Sequence, residues 1–151
     1  HPRRDGLVQR VDPVRRRHHR RREALLQCQP QQPHGVHRHR LARIALEAAK
    51  QSARSWIPEI ADATGIEEVC GRPGLVLAAV MGSREPVRDA IARAGGVREV
   101  TVVIGPEGDF TPEETEYMIS HGTVPVTLGG LTLRAETAAV TAVVLVRGAL
   151  G

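Results

Sequence analysis

Two glycine-bearing loops near the C-terminus carry the residue types best suited to bind a small molecule. Residues 103–110 read VIGPEGDF, and residues 128–138 read LGGLTLRAETA. Each loop follows an apolar run rich in β-branched residues and leads into a segment with helical spacing. Loops that follow parallel strands meet at one edge of the sheet. The sequence therefore predicts a binding crevice walled mainly by backbone.

The residue types in these loops restrict the ligand. Residues 105–108 lack the Gly-Lys-Ser/Thr ending of a P-loop, and neither loop contains the G-x-G-x-x-G dinucleotide pattern. Glu107 and Asp109 would repel a phosphate but tolerate a cation. We therefore expect a ligand with an adenine-like ring and a positive centre. The backbone groups that can read the edge of such a ring lie around Gly105, Leu128, Gly129 and Leu133.

The elements that position these loops alternate along the chain. Apolar β-branched runs predict buried strands, and amphipathic or Ala-rich segments predict helices. The predicted strands are 75–80, 99–104 and 124–128, and the predicted helices are 41–52, 85–94, 111–121 and 137–146. This alternation predicts an α/β fold, with a parallel sheet flanked by helices on both faces.

The helix after the first loop has a well-defined start and end. Thr111 can cap it, Pro112 suits its first position, and Glu114 completes a capping box. The helix should end at His121 and Gly122. We expect His121 to lie near the negative end of the helix dipole rather than to act as a ligand or base.

Residues 1–40 differ in composition from the rest of the chain. They hold 11 arginines, no lysine and three acidic residues, for a net charge of +8, whereas residues 41–151 carry a net charge of −4. They show no sustained period of two or 3.6. We predict that this anomalous basic segment is disordered or frameshifted, and that one folded domain spans residues 41–151. The alternative is an arginine-rich arm that neutralises nucleic-acid phosphates.

Composition excludes several other classes of protein. With 41% apolar residues, a chain of 151 residues can fill one hydrophobic core. No run approaches the roughly 18 apolar residues of a membrane span, and the basic N-terminus does not resemble a signal peptide. Cys28 and Cys70 lack metal-ligand spacing. We expect reduced thiols, no metal, no membrane partner and a cytoplasmic protein.

The two loops and one upstream segment resemble the RsmE family, bacterial methyltransferases that act on a uracil ring nitrogen of 16S rRNA. In the loops, the resemblance is carried by residues 104–108 (IGPEG), 128–129 (LG), 133–134 (LR) and 136–138 (ETA). Upstream, it is carried by residues 47–52 (EAAKQS), Arg54 and residues 58–60 (PEI). The resemblance covers residues 41–149, with the motifs in the family's order and spacing.

This resemblance implies a SPOUT-type fold with a C-terminal trefoil knot, and a homodimer. It implies S-adenosylmethionine as the cofactor and 16S rRNA or the small ribosomal subunit as the partner. The residues expected to bind the cofactor are Ile104, Gly105, Glu107, Gly108, Leu128, Gly129, Leu133, Thr137 and Ala138. Gln51 and Arg54 are the candidates to contact the substrate RNA.

The resemblance also points to catalytic candidates. Methyl transfer to a ring nitrogen requires alignment of that nitrogen with the methyl group and loss of its proton. Arg134 is the first candidate to stabilise the negative charge that develops on uracil. Glu136 is the second candidate, and its expected role is to hold Arg134 or to cap the last helix. The alternative role for Arg134 is a structural salt bridge to Glu136 or Glu107.

The chain departs from the family pattern in several places. The N-terminal β-rich RNA-binding domain of the family has no counterpart here, and residues 1–40 do not match the family's strand and helix before Arg43. Asp109 stands where the family tends to have a second glycine, and Gly130 stands where it has a proline. Without a first strand, the sheet is expected to have an exposed edge.

Three functional hypotheses follow from these observations. The first is the catalytic domain of an rRNA methyltransferase. The second is a noncatalytic knot domain that binds the cofactor or only dimerises. The third is a basic RNA-binding module in which residues 1–40 make the contacts.

Overall fold

A computed structural model of the chain describes residues 7–11, 25–26, 34–106 and 109–151. The strands are β1 (Leu7–Val11), β2 (Leu25–Leu26), β3 (Leu75–Ala79), β4 (Val100–Ile104) and β5 (Val124–Val126). The helices are α1 (His34–Gln51), α2 (Ile66–Cys70), α3 (Val87–Ala94), α4 (Pro112–Ser120) and α5 (Ala135–Leu150). All seven predicted segments are present, although α1 begins earlier and α5 ends later than predicted.

The strands form one sheet in the order β2-β1-β4-β3-β5. Within it, β4, β3 and β5 run parallel, which confirms the predicted parallel sheet. The last residues of these three strands are aligned, because Ala79 lies opposite both Ile104 and Val126. The loops that follow them therefore start at the same edge.

The structure places regular elements in part of residues 1–40. β1 pairs antiparallel with the whole of β4 and, on its other side, with β2. β4 is therefore an interior strand, and the expected exposed edge there is wrong. α1 also begins inside this segment, at His34. The sequence LVQRV of β1 does not alternate between apolar and polar residues, so its strand period was not detectable. The remaining residues of the segment lie outside the described ones.

Helices cover both faces of the sheet. Alternate residues of β4 point to opposite faces, with Val102 in the core formed with α3 and α5 and Val103 in the core formed with α2 and α4. β3 divides its side chains in the same way, and its central residues are buried. The larger core contains Leu77, Val87, Ala90, Ile91, Val100, Val102, Ile104, Val126, Ala138, Ala139, Ala142 and Val146.

One helix was not predicted from the sequence. α2 has only five residues, which is too few to show a helical period, yet its Val69 is 2% exposed in the smaller core. Thr123, just before β5, is also buried, and its hydroxyl donates to the Cys70 sulfur at 3.6 Å. None of the helices in the described part of the chain is long and apolar enough to span a membrane.

α4 begins with the predicted capping box. The Glu114 amide donates to Thr111 Oγ1 at 3.2 Å, and the Thr111 amide donates to Glu114 Oε2 at 2.8 Å. The helix ends at Ser120, followed by His121 as the C-cap and Gly122 with φ of 84°. His121 Nδ1 lies 2.8 Å from the carbonyl oxygen of Tyr117, so His121 occupies the predicted position at the helix end. The capping box fixes where α4 begins, and with it the direction of the chain after β4.

Replacing Thr111 with alanine should lower the free energy of unfolding by about 1 kcal/mol, because the first turn of α4 loses one side of its capping box. Urea denaturation followed by circular dichroism measures the change. Glu116→Ala is the matched control, since Glu116 is exposed in the middle of the same helix and should change stability by less than about 0.5 kcal/mol. Equal effects of the two substitutions would contradict the capping role.

Candidate functional site

The loops after β3, β4 and β5 surround one cavity of about 860 Å³. This volume lies within the range of small-molecule sites in proteins. The predicted crevice between the two glycine-bearing loops is therefore present, and the loop after β3 forms a third wall. The wall consists of residues 79–83, 104–106, Asp109, 126–135 and Ala138.

The loop after β3 is held by hydrogen bonds to the loop after β4 and to β5. The Met81 amide donates to Asp109 Oδ2 at 2.7 Å. Ser83 Oγ donates to the carbonyl oxygen of Pro125, in the middle of β5, at 2.9 Å. Both bonds join segments distant in sequence, so they hold the loop after β3 against its neighbours.

The loop after β4 makes a close turn at Gly105. A Cβ atom at this position would lie 2.9 Å from Asp109 Oδ1 and 3.3 Å from Phe110 Cε2. These distances are shorter than ordinary van der Waals contacts, so only glycine fits without movement of Asp109. Asp109 itself has φ of 65°, in the left-handed region.

The loop after β5 exposes its backbone to the cavity. Gly129 has φ of 140°, a value that side-chain-bearing residues rarely adopt. Thr127 Oγ1 fixes this turn, since it donates to the Gly129 carbonyl at 2.9 Å and accepts from the Gly129 amide at 3.2 Å. A Cβ at Gly129 or Gly130 would meet no protein atom within 4 Å. Both glycines therefore leave open space toward the cavity.

Two charged side chains, Asp109 and Arg134, lie in the described part of the wall. Arg134 is the N-cap residue of α5, and its carbonyl accepts from the Ala138 amide at 2.8 Å. Its side chain is exposed, and no ion pair joins it to another described residue. The alternative salt bridge to Glu136 is therefore not formed, and the one to Glu107 lies outside the described residues. Arg134 thus lines the cavity at the positive end of the α5 dipole.

The structure brings most of the sequence-predicted site residues to this cavity. Glu136 and Thr137 are exceptions, because they are exposed on the first turn of α5 and do not line the wall. Glu107 and Gly108 lie outside the described residues. The predicted residues found in the wall are Ile104, Gly105, Leu128, Gly129, Leu133, Arg134 and Ala138.

The two candidates for RNA contact lie elsewhere. Gln51 is the last residue of α1, and Arg54 follows shortly after it. The Arg54 guanidinium carbon lies 5.5 Å from the centroid of the Trp56 ring, which is a cation–π contact. Both Gln51 and Arg54 are exposed, and neither lines the cavity.

Sequence reasoning missed the loop after β3. Met81, Gly82 and Ser83 line the cavity, although they belong to no glycine-rich motif that the prediction used. Their position could have identified them. They directly follow a predicted parallel strand, so they must lie at the same edge of the sheet as the other two loops.

Residues 24–147 match the RNA methyltransferase domain family. The chain belongs to this family. The match begins before residue 41, where the sequence predicted the domain to start, and it contains β3, β4, β5 and all three cavity loops.

Two curated relatives agree with the resemblance to the RsmE family and confirm it. Ribosomal RNA small subunit methyltransferase E of Synechocystis is 36% identical over 104 residues, covering 66% of this chain and 34% of the relative. The protein of the same name from Rickettsia conorii is 36% identical over 113 residues, covering 72% of this chain and 46% of the relative. The chain thus spans less than half the length of each.

Solved structures of similar proteins share the fold. A methyltransferase from Legionella pneumophila, solved with bound SAM, has a TM-score of 0.66 and 29% identity, covering 77% of this chain and 48% of that one. Ribosomal RNA small subunit methyltransferase E from Neisseria gonorrhoeae, solved with S-adenosyl methionine, has a TM-score of 0.62 and 28% identity. That match covers 73% of this chain and 46% of the Neisseria protein.

Replacing Gly129 with valine should weaken binding of S-adenosylmethionine by at least about tenfold, because the loop would have to leave its present φ. Isothermal titration calorimetry measures the affinity. Gly71→Val is the control, since Gly71 follows α2 with φ of −80°, which other residues also adopt, and does not line the cavity. Unchanged affinity in Gly129→Val, or an equal loss in both variants, would contradict the role of this turn.

Proposed function

We propose that this chain is the cofactor-binding and catalytic part of a cytoplasmic methyltransferase that modifies a uracil ring nitrogen of 16S rRNA. The observation that carries the proposal is the cavity at the aligned ends of three parallel strands, with Arg134 in its wall. Membership of the RNA methyltransferase domain family supports the reaction class. The names of the curated relatives support small-subunit rRNA as the substrate. A C-terminal trefoil knot belongs to the same proposal.

The cavity fits S-adenosylmethionine, which supplies an electrophilic methyl group when bound. Gly129 and Gly130 leave the open space that a bound base and ribose need. Asp109 is the one acidic side chain in the described wall, so the wall accepts a positive centre. The backbone of the three loops would hold the cofactor. The residues proposed for this role are Ile104, Gly105, Glu107, Gly108, Leu128, Gly129, Leu133, Thr137 and Ala138.

Arg134 is proposed to act on the substrate base. A uracil ring nitrogen becomes nucleophilic as it loses its proton, and negative charge spreads to the neighbouring carbonyl oxygens of the base. A guanidinium that donates hydrogen bonds to those oxygens stabilises the charge as it develops. Arg134 is free to do so, since no ion pair with a described residue holds its side chain. Glu136, two residues further along, is proposed to orient Arg134 once RNA is bound.

RNA contact is proposed to extend beyond the cavity. Gln51 and Arg54 are exposed at the end of α1, where Arg54 can contact a phosphate or stack with a base beside Trp56. The basic residues of the segment 1–40 would add sequence-independent attraction to the RNA backbone.

Arg134→Ala should lower the single-turnover rate of methyl transfer to small-subunit particles by about 100- to 1,000-fold, since contacts of this kind stabilise the transition state. The affinity for S-adenosylmethionine should change by less than about twofold, because Arg134 is proposed to act on the base. Rates are measured with radiolabelled cofactor at saturating enzyme, and affinities by calorimetry.

Arg88→Ala is the matched control, because Arg88 is exposed on α3 and pairs only with its exposed neighbour Asp89 among the described residues. It should transfer methyl groups at the wild-type rate. A full rate in Arg134→Ala would remove Arg134 from the mechanism. Cofactor binding by the wild-type chain without any methyl transfer would instead favour the noncatalytic knot domain.

A homodimer formed through α5 is the proposed assembly. One face of α5 is buried against the sheet, while Val140 and Val144 are 66% and 63% exposed. These two residues are four positions apart and therefore lie on the same side of the helix. An apolar stripe of this kind is typical of an interface. A symmetric dimer would pair the stripe with its own copy.

The double substitution Val140→Glu and Val144→Glu should convert the dimer to a monomer, because like charges would face each other across the interface. Multi-angle light scattering at micromolar concentration measures the mass. Ile119→Glu on α4 is the control, since Ile119 is 49% exposed outside this stripe. A monomeric wild-type chain, or a double variant that stays dimeric, would contradict the proposed interface.

A further inference from the structure

Asp109 occupies an unusual place in the site. It lies in the wall of the cavity and also borders a shallow neighbouring groove of about 570 Å³, lined by apolar side chains that include Met81, Phe110 and Ile119. Asp109 is half-buried between the cavity and the groove. The carboxylate therefore lies at the boundary of the cavity, with apolar neighbours on one side.

The backbone at Asp109 indicates that the side chain has a use. Its φ of 65° favours glycine, and aspartate adopts such values at a modest cost. A glycine here would avoid that cost. A residue with this backbone conformation and an acidic side chain in the cavity wall points to a function for the carboxylate.

The carboxylate is held in one orientation. Oδ2 accepts from the Met81 amide at 2.7 Å, and Oδ1 lies against Gly105. Hydrogen bonds from an amide to a carboxylate are stronger than those between neutral groups. Arg134, the other charged residue of the described wall, forms no ion pair with Asp109, so no side chain among the described residues neutralises the negative charge.

We propose that Asp109 is a specificity-determining residue, whose charge makes the cavity prefer a cationic cofactor to its neutral product. The inference rests on the proposed function. S-adenosylmethionine carries a positive sulfonium, whereas S-adenosylhomocysteine carries a neutral thioether at the same place. A fixed carboxylate attracts the first and gains nothing from the second. Asp109 thereby favours replacement of bound S-adenosylhomocysteine by S-adenosylmethionine.

Calorimetry on the full chain tests this with three ligands that differ in charge at one position. They are S-adenosylmethionine, sinefungin, in which an amine replaces the sulfonium, and S-adenosylhomocysteine. Asp109→Asn removes the charge and keeps an oxygen that can accept from the Met81 amide. It should weaken binding of the two cationic ligands about three- to tenfold and of S-adenosylhomocysteine by less than about twofold.

Two further variants separate charge from structure. Asp109→Gly should show the same loss of selectivity, together with faster hydrogen exchange of the Met81 amide, because it also removes the acceptor. Asp89→Asn removes an equal charge from the exposed start of α3 and should change none of the three affinities. Melting curves show whether each variant is folded.

The outcomes are distinct. An equal change in affinity for all three ligands in Asp109→Asn, or the same selective loss in Asp89→Asn, overturns the inference and leaves the cavity as a cofactor site. Retained selectivity in Asp109→Gly also overturns it. A wild-type chain that binds none of the three ligands overturns the proposed function itself, and this inference with it.

Discussion

The parallel alignment of β3, β4 and β5 is the constraint on which the rest of the structure depends. Parallel strands require crossover connections, and here those connections contain the helices that cover the sheet. Both faces are therefore buried, and the strands consist of nearly continuous apolar residues. Because Ala79, Ile104 and Val126 end level with one another, three loops must emerge together. The cavity is a direct consequence of this alignment.

A sheet edge alone does not define a binding site, since the loops also need a fixed separation. Met81 is tied to Asp109, and Ser83 is tied to Pro125. The Thr127 amide donates to the Glu85 carbonyl at 2.8 Å, which connects the loop after β5 to the chain entering α3. Each of these bonds has at least one backbone partner, and two of them also depend on a side chain, that of Asp109 or that of Ser83. Asp109 and Arg134 are the charged residues of the described wall, and we propose that the chemistry of the site depends chiefly on them.

The elements and turns predicted best from the sequence are those whose local residue pattern agrees with their place in the fold. Buried strands such as β4 and the capped helix α4 have strong local patterns, and Gly105 and Gly129 mark turns that few other residues allow. β1 was missed because its strand character comes from pairing with β4 rather than from its own residues. The loop containing Met81 has no motif and joins the site only through the fold. Glu136 and Thr137 match the family pattern but lie outside the cavity wall, since a motif fixes sequence neighbours and not the direction of each side chain.

The cavity at the ends of β3, β4 and β5 should bind S-adenosylmethionine. Backbone amide resonances of the isotopically labelled chain, followed while the cofactor is added, locate the binding residue by residue. The largest shifts should fall on the three loops, at Met81 to Ser83, at Gly105 and at Thr127 to Ala135. Amides of α2 and of the middle of α4, on the opposite face of the sheet, should shift little. Shifts concentrated on α2 and α4, or no shifts at saturating cofactor, would show that this cavity does not bind the cofactor.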